Sequence, residues 1–333
     1  MRLRVGTVFL LVLLGTTAAS VIPAAQTVRL RLVSTAWPPF TNEPGQPRFA
    51  LDLVEAALGR IGLASTTTIV EAAQFTPVLL GEAFDGSAAA WRDAERERVL
   101  IFSEPYLENR LILVARRDDD ASAAALTDLK GKRIAIVEGY SYGDAIDLAG
   151  ATFVRSRSEE DSLALLLDGR ADYALMDDLV VQYVVTNYPA EARTRLNVGS
   201  RALLTRQLYL TVRRDRPGAQ SIVDRFNAQV RGMVADGTYH RLLHVQWIRA
   251  DVDGDGVAEL VPHGDRAGAV EPQHAYTLFS NTQAPSAADD AKRFYFGGNI
   301  YAEWASVPDR YKVEDSQWPD SRRSTGSIFQ FRW

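Results

Sequence analysis

No cysteine occurs in the 333 residues, and that single absence excludes disulfides, thiolate-bound metals and cysteine nucleophiles. An excess of positive charge is also missing: 37 Lys and Arg stand against 42 Asp and Glu, a net charge of −5. A nucleic-acid binder needs a basic face to neutralise phosphates, so this balance argues against one. Long apolar runs are confined to the start, MRLRVGTVFLLVLLGTTAASVIPAAQ, where Gly15, Thr16 and Thr17 cut the run short of a membrane span. Two arginines, a short apolar core and then small residues form the layout of a secretory signal peptide over residues 1–25, with cleavage expected between Ala19 and Gln26. The mature chain is therefore expected in the periplasm, soluble, without membrane insertion and monomeric. Lacking disulfides, it must rely on an apolar core, which a chain of this length supplies.

What is present alternates. Val28-Arg29-Leu30-Arg31-Leu32-Val33 reads as a strand, ended by Trp37-Pro38-Pro39-Phe40 because two prolines cannot continue a ladder. Leu51, Val54, Leu58 and Ile61 share one helical face, and Gly62 is placed to stop that helix. Strands are expected at 66–70, 111–114, 133–137, 174–176 and 208–212. A helix is expected over 159–167, with Ser158 as its N-cap and acids in its first turn, and another after Pro217 that ends at Gly237. The pattern predicts an α/β fold with mostly parallel sheets, whose ligands sit at the carboxyl ends of strands. After Ile248 the texture changes to a polar stretch and then aromatic clusters, with Gly297-Gly298-Asn299 suggesting a small hairpin.

Three motifs point to chemistry. Gly139-Tyr140-Ser141-Tyr142-Gly143 fits G-x-S-x-G, the elbow that presents the nucleophile of α/β-hydrolases. A nucleophilic Ser141 needs an acid and then a histidine, and Asp177 or Asp178 followed by His240 or His244 meets that order. Those histidines fall in a helical stretch, however, and no His-Gly-Gly-type oxyanion segment precedes the elbow. A turn between strand and helix suits an anion-holding Ser141 instead. His240 and His244 are spaced i, i+4 as zinc ligands can be, but a third ligand is not evident, which leaves a pair on a helix surface. The run from Asp251 begins like an EF-hand, yet its twelfth position is Pro262 where a bidentate acid is required. It looks more like the short calcium loops of FG-GAP-type repeats, with Asp251, Asp253, Asp255 and Glu259 as ligands; the alternative is an ordinary acidic turn.

Several motifs in order carry a family resemblance across roughly residues 28 to 249. They are Trp37-Pro38-Pro39-Phe40; Glu95-Arg96 leading into Phe102-Ser103-Glu104-Pro105-Tyr106; Leu126-Thr127-Asp128-Leu129-Lys130-Gly131-Lys132; Gly139-Tyr140-Ser141; Gly169-Arg170-Ala171-Asp172 running to Asp177-Asp178; and Ala235-Asp236-Gly237-Thr238-Tyr239 with Trp247. In these the chain resembles the extracellular solute-binding proteins of family 3, the polar amino-acid-binding type that serves ABC importers. The resemblance implies a two-lobed type II periplasmic binding fold, with residues 111–117 and 207–214 as the two hinge crossings. Lobe 1 would comprise 26–114 and 211–249, lobe 2 would comprise 115–210, and 250–333 would form a C-terminal extension. It places an aromatic wall at Trp37, a carboxylate-gripping arginine at Arg96, a second-lobe donor at Ser141 and an ammonium-holding acid at Asp177. With Phe40, Trp91 and Tyr140 these make the candidate ligand-binding set. Their chemistry is sensible in itself, since the planar fork of an arginine matches a carboxylate and Asp177 offers a counter-charge for an amine.

The chain departs from the family before Arg96, where small or hydroxyl residues are usual. Here stands Gly86-Ser87-Ala88-Ala89-Ala90-Trp91, one residue short, and Trp91 cannot replace a hydroxyl acceptor. The usual glycine before the first-lobe helix is Arg48, and the acid near the cleft mouth is Ser34 or Ala50. The expected function is capture of a small polar, carboxylate-bearing ligand by lobe closure for an ABC importer, without catalysis or a required cofactor. The alternatives are a soluble accessory or sensory binding protein, or an enzyme on the same fold like the cyclohexadienyl dehydratases.

Overall fold

The computed structural model describes residues 29–263, 271–272, 275–279 and 293–312. The leader expected over 1–25 and the aromatic cluster at 329–333 lie outside them. In the first part of the chain come β1 (Arg29–Thr35), α1 (Phe49–Arg60), β2 (Ala64–Val70), α2 (Ala72–Leu80), β3 (Gly86–Trp91), α3 (Ala94–Val99), β4 (Leu100–Phe102) and β5 (Leu107–Arg116). The middle holds β6 (Arg133–Val137), α4 (Ala145–Leu148), β7 (Thr152–Ser156), α5 (Glu159–Leu167), β8 (Tyr173–Asp177), α6 (Asp178–Asn187), α7 (Pro189–Arg195) and β9 (Leu196–Arg213). The last part holds α8 (Ala219–Ala235), α9 (Thr238–Leu243), β10 (Trp247–Ala250), β11 (Glu259–Pro262), β12 (Tyr276–Thr277), β13 (Phe294–Phe296) and β14 (Asn299–Tyr301). Local signals set many of these ends. Ser158 caps α5 by accepting the Asp161 N–H at 3.1 Å, and α8 turns Val223, Phe226, Val230 and Met233 inward at helical spacing.

One sheet runs β2-β1-β3-β9-β5-β8-β6-β7, with β4 added beside β9. β1 pairs parallel with β2 and β3, and β6 pairs parallel with β7 and β8, as alternating strands and helices require. Two antiparallel strands join these halves. β5 and β9 pair from Leu107↔Leu208 to Arg116↔Leu196. β3 and β4 hold β9 over 208–213, and β8 holds β5 over 111–114. The handover between halves therefore falls at 107–110 of β5 and 204–207 of β9, a few residues before the crossings expected at 111–117 and 207–214. Apolar alternation hides it: Glu108, Asn109, Arg206 and Gln207 occupy the handover and are buried there.

Residues after 246 build a second sheet in the order β12-β10-β11-β13-β14. β13 and β14 form the expected hairpin, turning through Gly297 and Gly298 at φ 55° and 79°. Trp247, Leu260, Phe294, Phe296, Val307 and Tyr311 form a core of its own. This extension is fastened to the handover strands. Thr277 N–H donates to Glu108 at 2.8 Å, the Tyr276 hydroxyl bonds Asp178 at 3.1 Å, and Phe279 N–H donates to the Pro105 carbonyl at 2.9 Å.

Candidate functional site

α3 is short, and its N-cap Asp93 holds it in register: Asp93 Oδ1 accepts the Arg96 N–H at 2.8 Å. The second oxygen turns the other way. Asp93 Oδ2 lies 3.1 Å from Arg96 Nε and accepts the Ser141 hydroxyl at 2.6 Å. Ser141 comes from the loop between β6 and α4, on the opposite half of the sheet. Arg96 is 2% exposed, and its other donors reach the Trp91 carbonyl at 2.8 Å and Thr76 Oγ1 at 2.6 Å. Burial lowers its guanidinium from the usual range while the neighbouring Asp93 opposes that shift. One carboxylate thus lies at ion-pair distance from an arginine of its own half, without a hydrogen bond to it, and accepts a hydroxyl from the other half.

Aromatic rings close the space around this grip. Trp37 and Trp91 meet edge to face with centroids 5.5 Å apart, and Tyr140 lies 5.5 Å from each. The space they leave amounts to about 310 Å³ when its open mouth is counted in. Trp37, Trp91, Arg96, Tyr140 and Ser141 line it, so five of the candidate residues come together. Phe40 stands behind Trp37 at 4.3 Å between centroids and is fully buried. Asp177 is not in the wall either. It caps α6 through Leu179 N–H at 2.8 Å, and its other oxygen, beside Asn109, has no hydrogen-bond partner. Asn109 in turn accepts the Trp91 indole N–H at 2.7 Å.

The halves also touch through backbone. Gly139 has φ 81°, and a Cβ there would sit 2.4 Å from the Ala72 carbonyl oxygen, so only glycine fits this approach of the β6 loop to α2. Asp93, Asn109, Thr76 and Glu159 were not singled out from the sequence. Glu159 is fully buried at the start of α5, and burial raises its carboxyl to about 8; the facing Trp37 indole N–H opposes that shift without reaching hydrogen-bond geometry.

Residues 31–250 match the bacterial extracellular solute-binding proteins of family 3. The chain belongs to that family. The ABC transporter arginine-binding protein 1 of Escherichia coli (strain K12) is 25% identical over 221 residues, covering 65% of this chain and 88% of the relative. The virulence sensor protein BvgS of Bordetella bronchiseptica is 34% identical over 113 residues, which cover 32% of this chain and 9% of BvgS. Among solved structures, a mutant of ArgBP from T. maritima superposes with a TM-score of 0.54 at 26% identity, covering 65% of this chain and 93% of that one. The fold is the type II periplasmic binding fold, so the two halves of the sheet are the family's two lobes.

Within this family-3 protein the hydrolase alternative finds no support in the geometry. The Ser141 hydroxyl donates to Asp93, while His240 is buried with Nε2 3.2 Å from the Val261 carbonyl. The two histidines do not share a helix surface: His240 is 1% exposed, and His244 follows α9 at φ 56°. The acidic run forms a tight turn in which Asp251 accepts from Gly254 N–H at 2.7 Å and Gly256 N–H at 3.0 Å. Asp251, Asp253 and Glu259 offer oxygens within 4.8 Å of one another. Arg293 stands among these acids, 2.7 Å from Asp255, 3.0 Å from Glu259 and 3.4 Å from Asp253. The cluster thus has an internal cation, which a calcium ion would have to displace, and this geometry serves the acidic-turn alternative. No helix among the described residues is long and apolar enough to cross a membrane.

Proposed function

We propose that this family-3 protein captures a small polar solute bearing a carboxylate, an amino acid or a close relative, by closing its two lobes, and presents it to an ABC importer from the periplasm. One observation carries this reading: Arg96 and Ser141, from opposite lobes, converge on a single carboxylate. A charge-assisted grip shared between lobes stabilises only the closed arrangement, which is what couples binding to closure. Trp37 and Tyr140 supply the aromatic walls, whereas Asp177, which caps α6 outside the wall, has no direct approach to a ligand amine. We assign no catalytic step: the carboxylate beside Ser141 is paired with Arg96, and His240 lies against the Val261 carbonyl. The E. coli relative supports amino-acid capture, and the resemblance to an importer's binding component supports the transport role.

A second reading is a sensory or accessory binding protein. Two observations favour it: the match to part of a sensor protein, and the fact that the gripped carboxylate belongs to the chain itself. Thermal unfolding of the mature protein against amino acids, dicarboxylates, amines and sugars tests the first reading. A ligand at about a hundred times its dissociation constant adds about 2.7 kcal/mol to stability. The expected result is a raised midpoint with a carboxylate ligand that disappears in Arg96→Ala. A cooperative unfolding transition that no carboxylate moves would contradict it.

A further inference from the structure

We propose that Asp93 is a built-in occupant of the carboxylate subsite, which latches the two lobes together with no solute bound and sets the affinity of any solute that must displace it. The inference rests on the reading that Arg96 and Ser141 form the carboxylate grip. Its first support is the division of labour between the two Asp93 oxygens. Oδ1 satisfies the local need by capping α3. Oδ2 lies 3.1 Å from Nε of Arg96, three residues on in α3, and accepts the hydroxyl of Ser141 from lobe 2, so it links that side chain to the other lobe. These are the two partners that an incoming carboxylate would use.

Trp91 narrows the rest of the cleft. Trp91 places its ring in the cavity wall and donates its indole N–H to Asn109 at 2.7 Å. Asn109 is fully buried and lies beside Asp177. The closed arrangement is also seated sterically, because Gly139 of one lobe rests on the Ala72 carbonyl of the other. A carboxylate tethered beside its own partners acts at an effective concentration on the order of millimolar. Free solute competes against that internal ligand, and its apparent affinity falls by the fraction of molecules in which the grip is vacant. Binding of amino acids by the parent is therefore weaker than binding by a variant that lacks the Asp93 carboxylate.

Asp93→Ser tests this. Serine keeps a good N-cap oxygen for α3 but is too short to span Arg96 and Ser141; Asp93→Asn keeps cap and size and removes only the charge. Tryptophan emission reports the lobes, because Trp37 and Trp91 gain water on opening, and calorimetric titration with L-arginine, L-glutamate and L-alanine reports the grip. In both variants we expect emission shifted to longer wavelength without ligand, and binding of at least one of the three about tenfold tighter than in the parent. Parent-like emission and parent-like affinities in both variants would overturn the latch. If parent and variants bind the same amino acid equally well with unchanged emission, the latch falls and the grip stands. If emission shifts but no form binds any of the three, the latch stands and the carboxylate reading of the site falls. Should Asp93→Ser unfold, Asp93→Asn alone decides.

Discussion

Asp93 and Glu159 are two carboxyl groups of one cleft in opposite circumstances. Asp93 has an arginine and a hydroxyl in contact, whereas Glu159 is buried beside Trp37, Tyr140, Tyr142 and Asp177 and is raised to about 8. A folded-state value above the ordinary 4.5 means that the folded protein holds this proton more tightly than the unfolded chain. The contribution of Glu159 to stability is therefore fully present below its unfolded value and is lost as pH rises from about 5 to about 8. Burial and neighbouring Asp178 shift Asp177 in the same direction. The unfolding midpoint should fall across that window, and Glu159→Gln should flatten the fall; parallel slopes for parent and variant would contradict the assignment. Much at this scale was legible in advance. Trp37, Trp91, Arg96, Tyr140 and Ser141 line one cavity, and it was the family resemblance that pointed to Trp37, Arg96 and Ser141. Asp93 and Glu159 were not legible. In Arg92-Asp93-Ala94-Glu95-Arg96 an acid looks like one more charge on a solvated face, and at the start of a helix an acid looks like a companion of its dipole.

At the scale of elements, α5 and α8 were readable because an end of each carries its own signal, Ser158 before α5 and Gly237 after α8, and β6 because its apolar run is continuous. The handover strands were less so, since periodicity finds apolar stretches and the hinge is where buried polar residues interrupt them. The extension was harder still. Its strands are two to four residues long, and its anchorage on Glu108 and Asp178 is a long-range pairing with no local pattern. A test of closure belongs here. Gly139→Ala introduces a Cβ 2.4 Å from the Ala72 carbonyl oxygen in a conformation that costs L-residues about 1 kcal/mol or more. The variant should fold, because the clash lies between lobes rather than within one, and should show the longer-wavelength emission of an open cleft. Unchanged emission would mean that the β6 loop and α2 do not meet in solution.

For the whole molecule, the picture is a two-lobed binding protein of family 3 with its cleft shut on its own side chains. The latch closes the front through Asp93 and Ser141, while Tyr276 and Thr277 of the extension hold Asp178 of lobe 2 and Glu108 of the hinge. Together they bias the closed–open equilibrium without a ligand, and a solute shifts that equilibrium only by its differential affinity for the two states. The absence of cysteine makes the decisive measurement clean, since a pair introduced at Glu82→Cys and Leu148→Cys, exposed positions on the two lobes, takes spin labels at those sites alone. The interlobe distance distribution of the unliganded protein, measured by pulsed electron resonance, is predicted to be narrow, centred on the closed separation, and unmoved by amino acids unless Asp93 is replaced. A long or broad distribution in the unliganded parent that contracts when an amino acid is added would contradict the account.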